Sequence, residues 1–176
     1  METMKAIAIR KSTRGYASDK QVGKEQMDTI LAAGYAAPIG RSDNASLHLT
    51  VVQSPEAMAK IDKTIQETLN TDRSLLYGAP TFVLVSASKE QAMANIQFSN
   101  AACVIENMLL AAADIGVDSI YLWGAPGVVA NNAALRAELG IPEGFAPVSG
   151  ALFGYALKPN PAEKDMGVTT IATNFV

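Results

Sequence analysis

Residues 101–113, Ala-Ala-Cys-Val-Ile-Glu-Asn-Met-Leu-Leu-Ala-Ala-Ala, constrain the fold more than any other stretch of this chain. They read as a helix that is apolar almost all round, interrupted only by Glu106 and Asn107. A surface helix needs one apolar stripe, whereas a full apolar girth must be covered from several sides. One small domain usually offers less cover than that. Composition agrees: 49% of the 176 residues are apolar and 18% charged, a surplus that a large subunit interface would absorb.

The elements around this helix follow from periodicity. Met4, Ile7 and Ala8 make a short helical stripe in residues 2–10, and Met27, Ile30, Leu31 and Gly34 make another in 24–36. A polar loop, Ala37 to Asn44, breaks the second. Residues 47–53 alternate as a strand. Ser54-Pro55-Glu56 then opens a helix to Leu69, with an N-cap, a proline at the first helical position and an acid in the first turn. Thr81 to Ala87 is a continuous apolar strand of the kind buried on both faces. Ser88-Lys89-Glu90-Gln91 reads as a capping box opening the apolar helix, with a break near Phe98-Ser99 and a stop at Gly116. A strand at 117–123, a Gly-Ala-Pro-Gly loop from Gly124, a helix at 131–139 and a strand from Phe145 to Tyr155 follow. Residues 156–176 form an extended tail. The expectation is one α+β domain over residues 1–176, a mixed, mostly antiparallel sheet flanked by helices.

Several kinds of chemistry are excluded early. The net charge of -3 and the lack of any nucleic-acid-reading motif argue against nucleic-acid binding. No run approaches the roughly 18 consecutive apolar residues of a membrane span, and a cytoplasmic setting is expected. With one His and one Cys, a Cys/His zinc site is not available, and no metal is expected. His48 sits in the alternation Leu47-His48-Leu49-Thr50 and reads as structural, while Cys103 reads as packing. If the chain is an enzyme, its hard chemistry belongs to a bound cofactor.

Arg10-Lys11-Ser12-Thr13-Arg14 is where such a group would be held. Three of the chain's 14 cations fall within these five positions, together with two hydroxyls. Guanidinium forks, an ammonium and hydroxyls are the donor set that holds a phosphate. The competing reading is a solvated basic patch at a helix end.

Four separated segments resemble the nitroreductase family of FMN-dependent oxidoreductases. Ile9-Arg10-Lys11-Ser12-Thr13-Arg14-Gly15-Tyr16 is similar to its opening Arg-Arg-Ser-x-Arg-x-Phe. Ala36-Ala37-Pro38 through Asn44 into Leu47–Val52 is similar to its Ala-Pro-Ser-x-x-Asn loop and strand. Asn100 through Ala112 resembles its central interface helix, and Leu139-Gly140-Ile141-Pro142 with Gly154-Tyr155 resembles its closing motifs.

The resemblance implies an interlocked homodimer with FMN at the subunit interface. By it, Arg10 and Ser12 bind the phosphate with Lys11 assisting, and Arg14 lies near flavin N1 and the C2 carbonyl. Asn44 meets the pyrimidine edge, and the loop serine is Ser42. The backbone of Gly124 and Ala125 faces N5, beside Trp123. A tail cation completes the phosphate site, Lys164 in preference to Lys158. The implied activity is ping-pong hydride transfer from NAD(P)H to a nitroaromatic, quinone or enone, without a side-chain nucleophile. Two alternatives stand beside it: a non-catalytic FMN-binding or storage protein, and a flavin enzyme fed by a ferredoxin-like donor. The chain departs from the family at Ser46, Leu47-His48 and Asn100, and in a loop about two residues longer between Pro38 and Asn44.

Overall fold

A computed structural model describes residues 2–159, 162–167 and 171–176. Its centre is strand β2 (Thr81–Ser88), whose first seven residues are all buried, as their unbroken apolar character requires. β2 is covered along both edges. It pairs antiparallel with β1 (Leu47–Val52) on one side and with β4 (Phe145–Gly154) on the other. β3 (Asp118–Leu122) pairs antiparallel with the far edge of β4, giving the order β1-β2-β4-β3. Gly150 permits the close approach at the centre: a Cβ there would lie 2.7 Å from Phe82 Cε2 and 2.8 Å from the Val83 carbonyl oxygen. The sheet is thus less mixed than expected, its parallel component among the described residues being one isolated bridge between Ser12 and Ser119.

Period-two alternation sends successive β2 side chains into two cores. Phe82 and Leu84 join Met58, Ile61 and Ile65 of helix α3 (Pro55–Leu69) with Val128 and Leu135. Val83 and Val85 join Met27 and Ile30 of α2 (Lys24–Tyr35) and Val104, Ile105, Met108 and Leu109 of α4 (Ile96–Asp114). Each wholly buried side chain of this size contributes roughly 1.5–3 kcal/mol. The Ser54 cap forms as its sequence predicts, the hydroxyl accepting from Ala57 N–H at 3.3 Å.

Three expectations are corrected. α4 begins at Ile96, not at Ser88, and runs unbroken through Phe98 and Ser99. Ser88 ends β2; its hydroxyl accepts from Glu90 N–H and its carbonyl accepts from the Gln91 amide, so these polar groups close a turn instead of capping a helix. The Gly-Ala-Pro-Gly segment is helical, forming α5 (Gly124–Ala130). Pro126 falls in the first turn, where backbone N–H groups have no helical partner to lose. The helix placed at 131–139 is the shorter α6 (Ala133–Glu138), capped by Asn132, whose side chain accepts from Leu135 N–H at 3.0 Å. Part of the expected tail lies outside the described residues.

α4 has the length and composition of a membrane span, with mean hydropathy 1.2 over its best window. Here it packs between α2 and the sheet, burying Asn100, Ala101, Val104, Ile105, Met108, Leu109 and Ala112. Asn100 tolerates burial because its side-chain oxygen accepts from Gly40 N–H at 3.0 Å. Ala102 and Glu106 stay exposed, and Cys103 and Leu110 half-exposed, so the cover that the sequence demands is incomplete within one chain.

Candidate functional site

The basic segment leaves helix α1 (Thr3–Ile9) and is clamped by its backbone. Arg10 N–H donates to the Ala6 carbonyl and Thr13 N–H to the Ser119 carbonyl, each at 3.0 Å, while Ser12 bridges Ser119 on the edge of β3. Further along, Leu157 N–H donates to Gly15 and Tyr16 N–H to Tyr77, at 3.0 and 3.1 Å. The Tyr16 ring is driven into the core, and Gly154 makes room for it: a Cβ at 154 would lie 2.9 Å from Tyr16 Cδ1. Burial pushes the Tyr16 phenol up, and the Asp118 carboxylate adds to the shift. Asp118 also ties two segments together, accepting from Thr13 Oγ1 at 3.4 Å and from Ala156 N–H at 2.9 Å.

Cations gather on this frame. Arg10 Nε lies 3.3 Å from Glu106 Oε1 of α4, a pairing that charge pattern alone does not give. Glu106 could nonetheless have been marked, being the one charged residue between Ile96 and Ala113. The tail returns to α1 so that Lys164 N–H donates to the Ala8 carbonyl at 3.0 Å and its ammonium to the Ile7 carbonyl at 2.8 Å. A cation suits the carbonyl end of a helix. Desolvation lowers the Lys164 pKa first, repulsion from Arg10 and Lys11 lowers it further, and Glu106 opposes them. Lys11, Ser12 and Arg14 line one cavity of about 420 Å³ with Lys158, and Arg10 and Lys11 line a smaller neighbouring one of about 150 Å³.

β3 and α4 lead away from these cations in the same direction. The short turn Ile115–Val117 joins them, so they run antiparallel. From Ser119 to Trp123 is four residues, about 13 Å of strand. From Glu106 to Phe98 is eight residues, about 12 Å of helix. The two spans agree because Phe98 and Trp123 touch, with ring centroids 5.7 Å apart at 45°. Trp123 is 62% exposed and Phe98 is 37% exposed. Gly124 and Ala125 start α5 immediately beyond, and a Cβ on Gly124 would meet nothing within 4 Å.

Ser42 and Asn44 lie elsewhere. Gly40 is pinned to Asn100, and a Cβ at Gly40 would collide with Ile96, so the loop packs on the Ile96–Asn100 side of α4. Asn100 is two residues from Phe98, about 200° round the helix, so α4 stands between this loop and the basic crevice. Asn44 lines a separate cavity of about 400 Å³ with Gly34, Tyr35, Ile39 and Leu47. Arg41 and Ser42 hold positive φ angles of 62° and 57°, a strained pair for non-glycine residues. Ser46, where the family motif carries Gln, is buried and donates to the Asp43 carbonyl at 2.7 Å. His48 lies edge-on to Phe145, a packing role.

A helix-cased antiparallel sheet with a basic, backbone-clamped recess lined by Lys11, Ser12, Arg14 and Lys158 defines an α+β protein with its cations gathered on one cavity. The chain belongs to the nitroreductase family, whose model matches residues 7–155. It is similar over 98% of its length to a nitroreductase with bound FMN from Bacteroides fragilis, at 28% identity and a TM-score of 0.78, covering 100% of that chain. A nitroreductase with bound FMN from Desulfitobacterium hafniense shares the fold at 22% identity and a TM-score of 0.81, with 98% and 100% of the two chains covered. An FMN-dependent nitroreductase from Clostridium difficile does so at 23% identity and 0.77, covering 98% and 99%. No curated protein matches the chain.

Proposed function

We propose that this protein is a homodimeric FMN oxidoreductase that takes hydride from NAD(P)H and passes it to a small planar acceptor such as a nitroaromatic, quinone or enone. The observation that carries the reading is the meeting of Arg10, Lys11 and Lys164 beside Ser12. Burial first, and then Arg10 and Lys11, disfavour the charged Lys164 ammonium, and a phosphate dianion would offset that. The FMN-bound relatives point the same way.

On this reading Arg10, Lys11, Ser12 and Lys164 hold the phosphate. Arg14 sets a positive charge where reduced flavin is negative, which favours hydride uptake. The Gly124–Ala125 backbone offers N–H donors at the turn beside the ring, and Gly124 keeps side chains out of that approach. Bound FMN supplies the hydride chemistry, so no side-chain nucleophile is needed. Donor and acceptor use the same face in turn, giving ping-pong kinetics.

The dimer is part of the proposal. Because α4 separates Ser42 and Asn44 from the crevice of their own chain, they serve the crevice of a second copy. The exposed side of α4 and the exposed tail residues Ile171 and Phe175 (79% and 93%) supply apolar surface for the contact.

The test is an anaerobic absorbance spectrum of the FMN-loaded protein before and after NADH or NADPH. A flavin band that bleaches supports the reductive half-reaction. A band that persists points to storage or to a ferredoxin-like donor. No flavin uptake at all rejects the cofactor and every role above.

A further inference from the structure

We infer that the cavity between α3 and the loop leading into β2 is a second binding site, for a small organic ammonium ion with a short apolar body. The inference is independent of the flavin reading. The cavity holds about 240 Å³, room for roughly eight groups of the volume that water takes in the liquid. Pro55, Met58, Ala59 and Asp62 of α3 line it at i, i+3, i+4 and i+7, which is one face of the helix. Leu76 and Pro80 add apolar wall from the loop before β2, and Gln53 adds a polar group from the end of β1. α3 packs on the face of the sheet opposite α2 and α4, so the helix given to the dimer contact takes no part in this cavity.

The lining selects a cation. Asp62 Oδ1 is buried without a hydrogen-bond partner among the described residues, and a carboxylate oxygen taken from water unpaired is costly. The nearest lysines in sequence are engaged elsewhere, Lys60 with Glu138 and Lys63 with Glu67. Gln53 turns its amide NH2 to the Val22 carbonyl at 3.2 Å and to Thr81 Oγ1 at 3.1 Å, which leaves its oxygen as an acceptor. No lysine or arginine stands among the described residues that line the cavity, so an anion would meet Asp62 and no counter-charge. The α3 N-terminus could also draw an anion, but the Ser54 hydroxyl and Glu56 in the first turn already serve it. One carboxylate is a poor metal cage, and no group of three His, Cys, Asp or Glu gathers among the described residues. A wholly apolar guest would leave Oδ1 unpaired. An ammonium brings three donors to these acceptors, while Met58, Leu76 and Pro80 offer its carbon chain an apolar contact.

The experiment titrates the full chain, isotope-labelled at its methionine methyls, with n-butylammonium chloride, butan-1-ol or sodium butyrate at constant ionic strength, with and without FMN. The Met58 methyl gives the local NMR signal, assigned through Met58→Leu. The ammonium is expected to shift that signal to saturation at millimolar concentration, with the alcohol and the butyrate at least about tenfold weaker. Asp62→Asn should weaken ammonium binding about tenfold. Ala59→Leu, at an exposed position, should block the cavity with Asp62 intact, which keeps the test open if Asp62→Asn fails to fold. An equal response to butan-1-ol, or an Asp62→Asn protein that binds as wild type does, would overturn the site. A shift that never saturates would mean an adventitious additive only, and would overturn it too. Failure to take up FMN would reject the flavin reading and leave a positive titration standing.

Discussion

The two ends of the crevice are built on opposite principles. At the basic end the main chain of Arg10, Thr13, Gly15 and Tyr16 is tied in turn to α1, β3, Leu157 and Tyr77, and Asp118 is consumed in holding the segment. Phe98 and Trp123, by contrast, touch ring to ring at 5.7 Å and are 37% and 62% exposed. A site that must retain one anion gains from fixed donors, because preorganisation removes the ordering cost of binding. A site that must admit and release several flat molecules gains from an open apolar surface. On the proposed function, retention of the cofactor would fall to the fixed basic end.

The largest break in this comparison is expected at the fixed end. Arg10→Ala removes a charged hydrogen-bond donor and leaves Glu106 without its partner, so FMN affinity should fall about 10- to 100-fold, some 1.5–3 kcal/mol. Equilibrium dialysis of apoprotein against FMN measures it; a change below twofold would show that the segment does not hold the phosphate.

Mixing this variant with Asn44→Ala tests whether two chains share the site. If Asn44 serves the partner, a mixed dimer carries one doubly altered site and one intact site, and up to half of the flavin reduction per dimer returns. If both residues served their own chain, every site would carry one lesion and mixing would recover nothing.

Lys164 sharpens the basic end through pH. Its pKa is lowered from 10.5, so between the folded value and 10.5 the unfolded chain binds more protons than the apo fold. Apoprotein stability should therefore rise with pH through that window, and thermal denaturation would follow it. FMN affinity should move the other way, falling as the ammonium is lost. Lys164→Met should flatten both profiles, and a variant that keeps either slope would assign the effect to another group.

How much of this was legible depended on whether the signal was local. The full burial of β2 followed from its unbroken apolar run, and α3 from Ser54-Pro55. α5 was hidden because glycine and proline mark turns, yet a first-turn proline costs a helix no hydrogen bond and Ala125, Val128 and Val129 gain burial. The false capping box at Ser88 came from side chains that bond backbone equally well in a turn. In the site, the cations of Arg10–Arg14 stood out as a charge pattern. Phe98 did not, since an aromatic inside an apolar helix reads as core until its contact with Trp123 is seen. The separation of Asn44 from the crevice is a property of helix phase and needs the fold.

The smallest effect, and the finest test of the contrast, lies at Glu106. It sits at the basic end, on the exposed stripe of α4, and supplies the carboxylate that now engages Arg10. With Glu106 half exposed, the pair is worth no more than about 1 kcal/mol. Two opposing roles follow. If the carboxylate competes with the phosphate, Glu106→Gln should tighten FMN binding by up to about fivefold at low salt, because the guanidinium is released from a rival anion. If it mainly orients Arg10, the same substitution should weaken binding by a similar factor. Salt separates the two, since competition by an exposed charge fades as ionic strength rises toward 1 M, where the screening length is about 3 Å. The crowding of Arg10, Lys11 and Lys164 favours competition: with three cations present, the missing negative charge is the ligand's to provide. A tighter apparent Kd in Glu106→Gln that converges on wild type at high salt is the expected result. Weaker binding at every salt concentration would make Glu106 part of the fixed frame that orients Arg10.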